Sequence, residues 1–201
     1  MPKQERALVL ASASPRRREI LGQLGVQFRV LPSGIDETAL PGETADAHVR
    51  RLAAEKAEEV ARRIADDPEK PLVLAADTIV IIDGRVLGKP RDDADAEQML
   101  ASLQGRTHRV LTAMSLREVG GTHREDFALG TSVRFRELDV GTVRAYVASG
   151  EGRDKAGSYA IQGLGAGLVA AIEGSYTNVV GMPAVETLAL LTRAKVLAAW
   201  P

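Results

Sequence analysis

The chain has 201 residues, enough to bury a sizeable core in one domain of two lobes or in two small domains. Its formal net charge of -1 argues against a nucleic-acid binder that works by bulk electrostatics. It has no cysteine, which excludes disulfides, thiolate catalysis and cysteine-based zinc sites.

Met1 to Arg6 is charged and leads straight into a strand, so no signal peptide is expected. No apolar run approaches the length of a membrane span, and a cytoplasmic protein without a membrane partner is the expectation. Leu8 to Ala11 reads as a short buried strand. Ser14 then stands where a helix N-cap belongs, and Pro15 suits the first helical position. Ile20, Leu21 and Leu24 give that helix an apolar stripe. Arg16, Arg17 and Arg18 crowd its first turn, where the helix dipole already disfavours cations by a few tenths of a kcal/mol each, roughly. An anion held by backbone N–H groups, Ser12, Ser14 and the guanidiniums would remove the conflict; a solvated basic turn is the alternative.

Gln27 to Leu31 reads as a second short strand, followed by a loop to Glu43 that carries Asp36 and Glu37. Ala45 to Asp66 is the longest helical pattern, with Val49, Leu52, Ala53, Ala57, Val60, Ala61 and Ile64 on one stripe. Lys56 falls on the same stripe, so it must snorkel, pair with an acid or meet a ligand anion. Leu72 to Ile82 is the most apolar stretch, interrupted by Asp77-Thr78. An aspartate there is costly unless it is hydrogen-bonded to backbone, paired, or working as a general base or metal ligand. Asp83-Gly84 with Arg85 to Leu87 reads as a tight hairpin, and Gly88-Lys89-Pro90 follows on a constrained loop.

Asp92 to Leu103 reads as a helix with Ala94, Met99, Leu100 and Leu103 apolar. Arg106 to Arg117 and Phe127 to Glu137 read as an antiparallel pair turned at Gly120-Gly121. Val140 to Ser149 is a short helix with Val143, Tyr146 and Val147 on one face. Gly150 to Gly167 is glycine-dense but is no dinucleotide fingerprint, because Leu168 stands where the last glycine belongs. Asp154 and Lys155 suit a surface pair, and Gln162 suits either a polar ligand edge or a turn. Leu168 to Ile172 reads as a strand and Gly174 to Gly181 as a turn. A last helix opens at Pro183, with a stripe of Val185, Leu188, Leu191 and Val196.

His48, His108 and His123 fall in no metal-ligand spacing and are expected at the surface. There is no Walker pattern and no G-x-S-x-G elbow. The remaining inventory of carboxylates, lysines, arginines and serines suits phosphate chemistry with a hard divalent cation on oxygen ligands.

The blocks L-A-S-A-S-P-R-R, D-E-T, A-A-E-K-A, A-A-D-T, G-K-P, D-K-A-G-S-Y-A-I-Q-G and G-S-Y-T-N-V-V-G-M-P run in this order from Leu8 to Pro183. Together they resemble the Maf family of nucleotide pyrophosphatases, formerly linked to septum formation. The resemblance implies a single domain over 1–201, of α/β class, with a mixed central sheet flanked by helices and two lobes around a cleft. It implies hydrolysis of a nucleoside triphosphate to monophosphate and diphosphate with a divalent metal, Mg²⁺ or Mn²⁺, and members that often form homodimers. The family's general base falls on Asp77, and its specificity positions on Arg16, Thr78 and Gln162, whose identities suit the dTTP/UTP-directed branch. Ser12, Arg17, Glu37, Lys56, Lys89 and Lys155 match other pocket positions.

On that footing Asp77, Lys56 and Lys89 are the expected catalytic residues. Ser12, Arg16, Arg17, Thr78, Lys155 and Gln162 are expected to bind substrate, with Glu37 and Asp77 on the metal. A nucleotide-binding regulator of cell division with little turnover is one alternative. A house-cleaning pyrophosphatase for ITP or XTP is another. Gly167-Leu168, where an Arg-Phe pair is common, departs from the family pattern and bears on pocket packing.

Overall fold

The computed structural model describes residues 3–199. Among these described residues, seven strands and six helices, with two short 3-10 turns, follow one another in mixed α/β order. The strands are β1 (Leu8–Leu10), β2 (Arg29–Val30), β3 (Leu72–Ile82), β4 (Arg85–Leu87), β5 (Thr107–Glu118), β6 (Arg124–Phe135) and β7 (Val169–Glu173). The helices are α1 (Pro15–Gln23), α2 (Ala45–Arg63), α3 (Asp93–Leu103), α4 (Val140–Ala148), α5 (Tyr176–Val180) and α6 (Ala184–Arg193).

One sheet holds all the strands in the order β2-β1-β3-β5-β6-β7, with β4 paired to β3. β1 runs parallel to β2 and to β3, Leu8 facing Leu72 and Leu10 facing Leu74. Parallel neighbours need a crossover, and α1 and α2 supply the helical parts of those connections. β4 returns antiparallel on β3, and the turn residues Asp83 and Gly84 both take positive φ (50° and 74°), as a primed hairpin turn requires. β7 pairs antiparallel with β6 and leaves Ala170 to Glu173 exposed.

The residues group into two compact units. The first comprises Met1–Asp77, Thr112–Leu129 and Gly181–Pro201; the second comprises Thr78–Leu111 and Gly130–Val180. In the first, the α2 stripe of Ala57 and Val60 packs on Val9, Ala11, Val73, Ala75 and Val119. In the second, α3 packs beside α4, with Leu100, Leu103, Val143, Tyr146 and Val147 buried. No helix among the described residues is long and apolar enough to cross a membrane.

β3 runs as one unbroken strand through the polar pair Asp77-Thr78. Three local expectations fail. Gly174 to Gly181 contains a helix, α5, and not only a turn. α6 buries Thr187, Leu190 and Leu191, while Val185 is 75% exposed. α3 buries Ala96 in place of Ala94.

Candidate active site

In the first unit the chain leaves β1 at Leu10 and enters α1 at Pro15. Ser14 occupies the N-cap position in an extended conformation, but its side chain makes no capping bond and the first turn has no acid. The helix mouth is therefore cationic and has no side-chain cap. Ser12 is buried, and its Oγ accepts from the Ser14 N–H and from Arg17 Nη1, both at 3.2 Å. Arg17 also donates through Nη1 to the Ala76 carbonyl at 2.8 Å and through Nε to the Gly181 carbonyl at 3.0 Å. Its guanidinium thus ties the β1–α1 turn to β3 and to the start of α6. Burial lowers its pKa and Arg16 adds to that, while the charges of Asp77 and Glu37 work in the opposite direction. Arg16, Glu37 and Asp77 thus all act on the charge of this one guanidinium. The Arg16 side chain makes no hydrogen bond or ion pair among the described residues.

Lys56 is 8% exposed on the inner stripe of α2. Of the three outcomes open to a lysine there, it pairs, and with two acids. Nζ donates to Asp77 Oδ1 at 2.7 Å and lies 2.6 Å from Glu37 Oε1. Asp77 Oδ2 has no hydrogen-bond partner among the described residues. Glu37 arrives on a loop that Arg51 of α2 clamps. Arg51 donates to both Glu43 oxygens (2.7 and 2.8 Å) and to the Thr38 carbonyl (3.1 Å). Led by that Arg51 bond, Glu43 is held well below the usual carboxylate range, at about 2.

The second unit carries Thr78, Lys89, Lys155 and Gln162. Alternation along β3 puts Thr78 on the face of Val80 and not on that of Asp77. Gly157 lies against Val80, and its N–H donates to the Gly88 carbonyl at 3.0 Å, which ties the Lys155 segment to the Lys89 loop. Lys89 is exposed, and its ammonium has no partner among the described residues. Lys155 pairs with Asp154. Gln162 stands just before the second 3-10 turn (Gly163–Leu168), half-buried, with no side-chain hydrogen bond among the described residues.

Within the first unit the structure therefore brings Ser12, Arg16, Arg17, Glu37, Lys56 and Asp77 together. Within the second it links the Lys89 loop with the Lys155 segment and sets Gly157 of that segment on the face of β3 that carries Thr78. Sequence reasoning missed the Arg51–Glu43 clamp and the second unit's Tyr146–Glu151 pair, 2.9 Å apart. A lone acid between glycines, Gly150-Glu151-Gly152, was the available signal for Glu151.

A family model described as Maf-like protein matches residues 7–194. The chain belongs to the Maf family. Among curated Maf relatives, a dTTP/UTP pyrophosphatase of Myxococcus xanthus is 51% identical over 100% of this chain and 98% of that protein. One of Anaeromyxobacter sp. is 52% identical over 93% of this chain and 89% of that protein. One of Pseudoalteromonas atlantica is 48% identical over 92% and 96%. Among solved structures, the Staphylococcus aureus Ham1 protein aligns with a TM-score of 0.48 at 15% identity, over 95% of this chain and 94% of that chain.

His108 corrects an expectation for this Maf chain. It is 3% exposed, not at the surface, and its Nε2 lies 2.7 Å from the Tyr159 hydroxyl, edge-on to Phe135 and Tyr159. Burial pushes its pKa down to about 4, so the ring is neutral near pH 7 and serves packing.

Proposed function

We propose that the chain is a nucleoside triphosphate pyrophosphatase that hydrolyses dTTP and UTP to the monophosphate and diphosphate, acting as one domain in the cytoplasm. The observation that carries the reading is the Lys56 ammonium holding two carboxylates, at 2.7 and 2.6 Å, beside the half-buried Arg17 guanidinium at an uncapped helix mouth. The names of relatives at about half identity over the whole chain support the substrate class.

A triphosphate is a concentrated anion, suited within the first unit to Arg16 and the α1 N-terminus. Lys89 and Lys155 are the proposed phosphate-binding cations of the second unit. Arg17 acts chiefly by its charge and by holding Ser12 and the Ala76–Asp77 backbone in place. Lys56 fixes Asp77 through Oδ1, so Oδ2 is the atom that orients a water and takes its proton. The water oxygen bonds to the α-phosphorus, the α–β phosphoanhydride bond breaks, and diphosphate leaves. Thr78 and Gln162 are the proposed readers of the base. A wrong base would leave their polar groups unpaired, which discriminates more strongly than apolar shape.

No group of three or more histidines and carboxylates suited to a metal occurs among the described residues. The donor set is two carboxylates converging on one ammonium. That fits Mg²⁺ or Mn²⁺, which are held by one or two carboxylates together with substrate phosphates. Glu37 and Asp77 would hold the ion, which when bound supplies charge neutralisation at the phosphate oxygens.

The test is release of diphosphate from dTTP, UTP, ITP and GTP with Mg²⁺ or Mn²⁺. Preference for dTTP and UTP is expected. A clear ITP preference would overturn the roles of Thr78 and Gln162. Nucleotide binding without turnover of any triphosphate would replace the enzyme with a binding regulator.

A further inference from the structure

Base selection by Gln162 raises a physical problem. A carboxamide presents a donor on one side and an acceptor on the other, and a flip exchanges them. Among the described residues no hydrogen bond fixes that amide. Its aim must come from the backbone that carries it. That backbone is tied at both ends. On the near side, the Ala160 N–H donates to the Tyr146 hydroxyl at 3.0 Å. On the far side, the Leu164 N–H donates to Glu151 Oε1 at 2.9 Å and the Gly165 N–H to Glu151 Oε2 at 2.8 Å. The Tyr146 hydroxyl in turn donates to Glu151 Oε2 at 2.9 Å, closing the loop of bonds. The wrap is tight. Gly163 has φ 64°, and a Cβ there would lie 2.1 Å from Glu151 Oε1.

We propose that Glu151 is the positioning residue for nucleobase selection, its carboxylate gathering Leu164, Gly165 and Tyr146 so that Gln162 presents a fixed amide to a pyrimidine base. The inference rests on the reading of Gln162 given above. All three partners of the carboxylate are donors, so the site calls for an acceptor-only group. Burial works against the charge, yet the Gly165 and Leu164 N–H groups and the Tyr146 hydroxyl hold Glu151 below the usual carboxylate range. A carboxamide of the same shape must turn its NH₂ toward one of these donors, so Glu151→Gln loosens the segment without changing its volume. Glu151 does not touch the reacting phosphates in this scheme, and its signature is a change in selectivity.

The experiment compares wild type, Glu151→Gln, Tyr146→Phe and Gln162→Ala by diphosphate release from dTTP, UTP and GTP. Gln162→Ala sets the scale for a lost reader. Glu151→Gln is expected to cut the dTTP-to-GTP ratio of kcat/KM by about tenfold or more, mainly through a raised KM for dTTP. Tyr146→Phe, which keeps the ring and removes the hydroxyl, is expected to move the ratio the same way by less. It decides alone if Glu151→Gln does not fold by circular dichroism. An unchanged ratio in the folded variants, or an equal loss on all three nucleotides, overturns this inference alone. A wild type without pyrimidine preference overturns the reading of Gln162, and this one with it.

Discussion

Replacing Lys56 with Met removes one charge and keeps most of the stem, so the cavity contribution is small. What remains is a carboxylate with 10% of its side chain exposed and no cation bonded to it. Removing one partner of a buried pair costs about 3–5 kcal/mol. The Glu37 side chain is 52% exposed, so losing that contact adds only the surface-pair value, about 0–1 kcal/mol. The expected loss is therefore about 3–5 kcal/mol, or about 6–20 °C in Tm. Urea unfolding measures it, read as a change in midpoint at constant slope. Adding Asp77→Asn to Lys56→Met should recover part of the loss, since the stranded charge is gone. A penalty under about 1 kcal/mol, or one that Asp77→Asn does not relieve, would refute the picture of Lys56 as the neutralising partner of Asp77.

Three further outcomes follow from the same geometry. Asp77→Ala should keep dTTP binding by calorimetric titration and lose about a hundredfold or more in diphosphate release, because it removes the proton acceptor and leaves the cations. His108 binds a proton near 6.5 when unfolded and only near 4 when buried, so its contribution is present above pH 6.5 and is lost as pH falls. Wild-type stability should drop by up to about 3 kcal/mol from this group between pH 7 and pH 4, and His108→Gln should flatten that slope in urea unfolding. Arg51→Ala frees the Glu43 carboxylate and the Thr38 carbonyl that anchor the Glu37 loop. It should weaken the apparent affinity for Mn²⁺ about tenfold in activity titrations while kcat at saturating metal stays near wild type.

What was legible in the sequence was local. The 3.6 period placed Lys56 on the buried stripe of α2, and Asp83-Gly84 announced its hairpin, because each signal lies within one element. The misses came from partners far along the chain or from polar groups satisfied in unexpected ways. Asn178 looked like a turn former. Its amide instead donates to the Val110 carbonyl and to Thr131 Oγ1, 68 and 47 residues away, within a helix. Thr187 lies off the expected stripe of α6 and is buried nonetheless. Its hydroxyl donates to the Pro183 carbonyl at 2.7 Å, so burial leaves it satisfied and the stripe rotates away from Val185. His108 could not be placed without Tyr159, 51 residues on. The candidate site was legible through its violations, whereas the Glu151 tether showed only as a lone acid between two glycines, a mark any solvated turn carries.

Those violations carry the functional argument further than any one contact. Three arginines in the first turn of a helix, a lysine on a core stripe and an aspartate inside the most apolar strand each break a rule that ordinary folding favours. They lie in three elements separated by up to 61 positions, between Arg16 and Asp77. For stability alone, well-packed apolar residues would serve as well or better than a buried ion pair. In the folded chain the three exceptions are neighbours. Lys56 bonds Asp77, Asp77 acts on the charge of Arg17, and Arg17 holds the backbone next to Asp77. Independent defects have no reason to converge. A preorganised set of charges, fixed before a polyanion arrives so that little reorganisation is left for the reaction, accounts for their convergence.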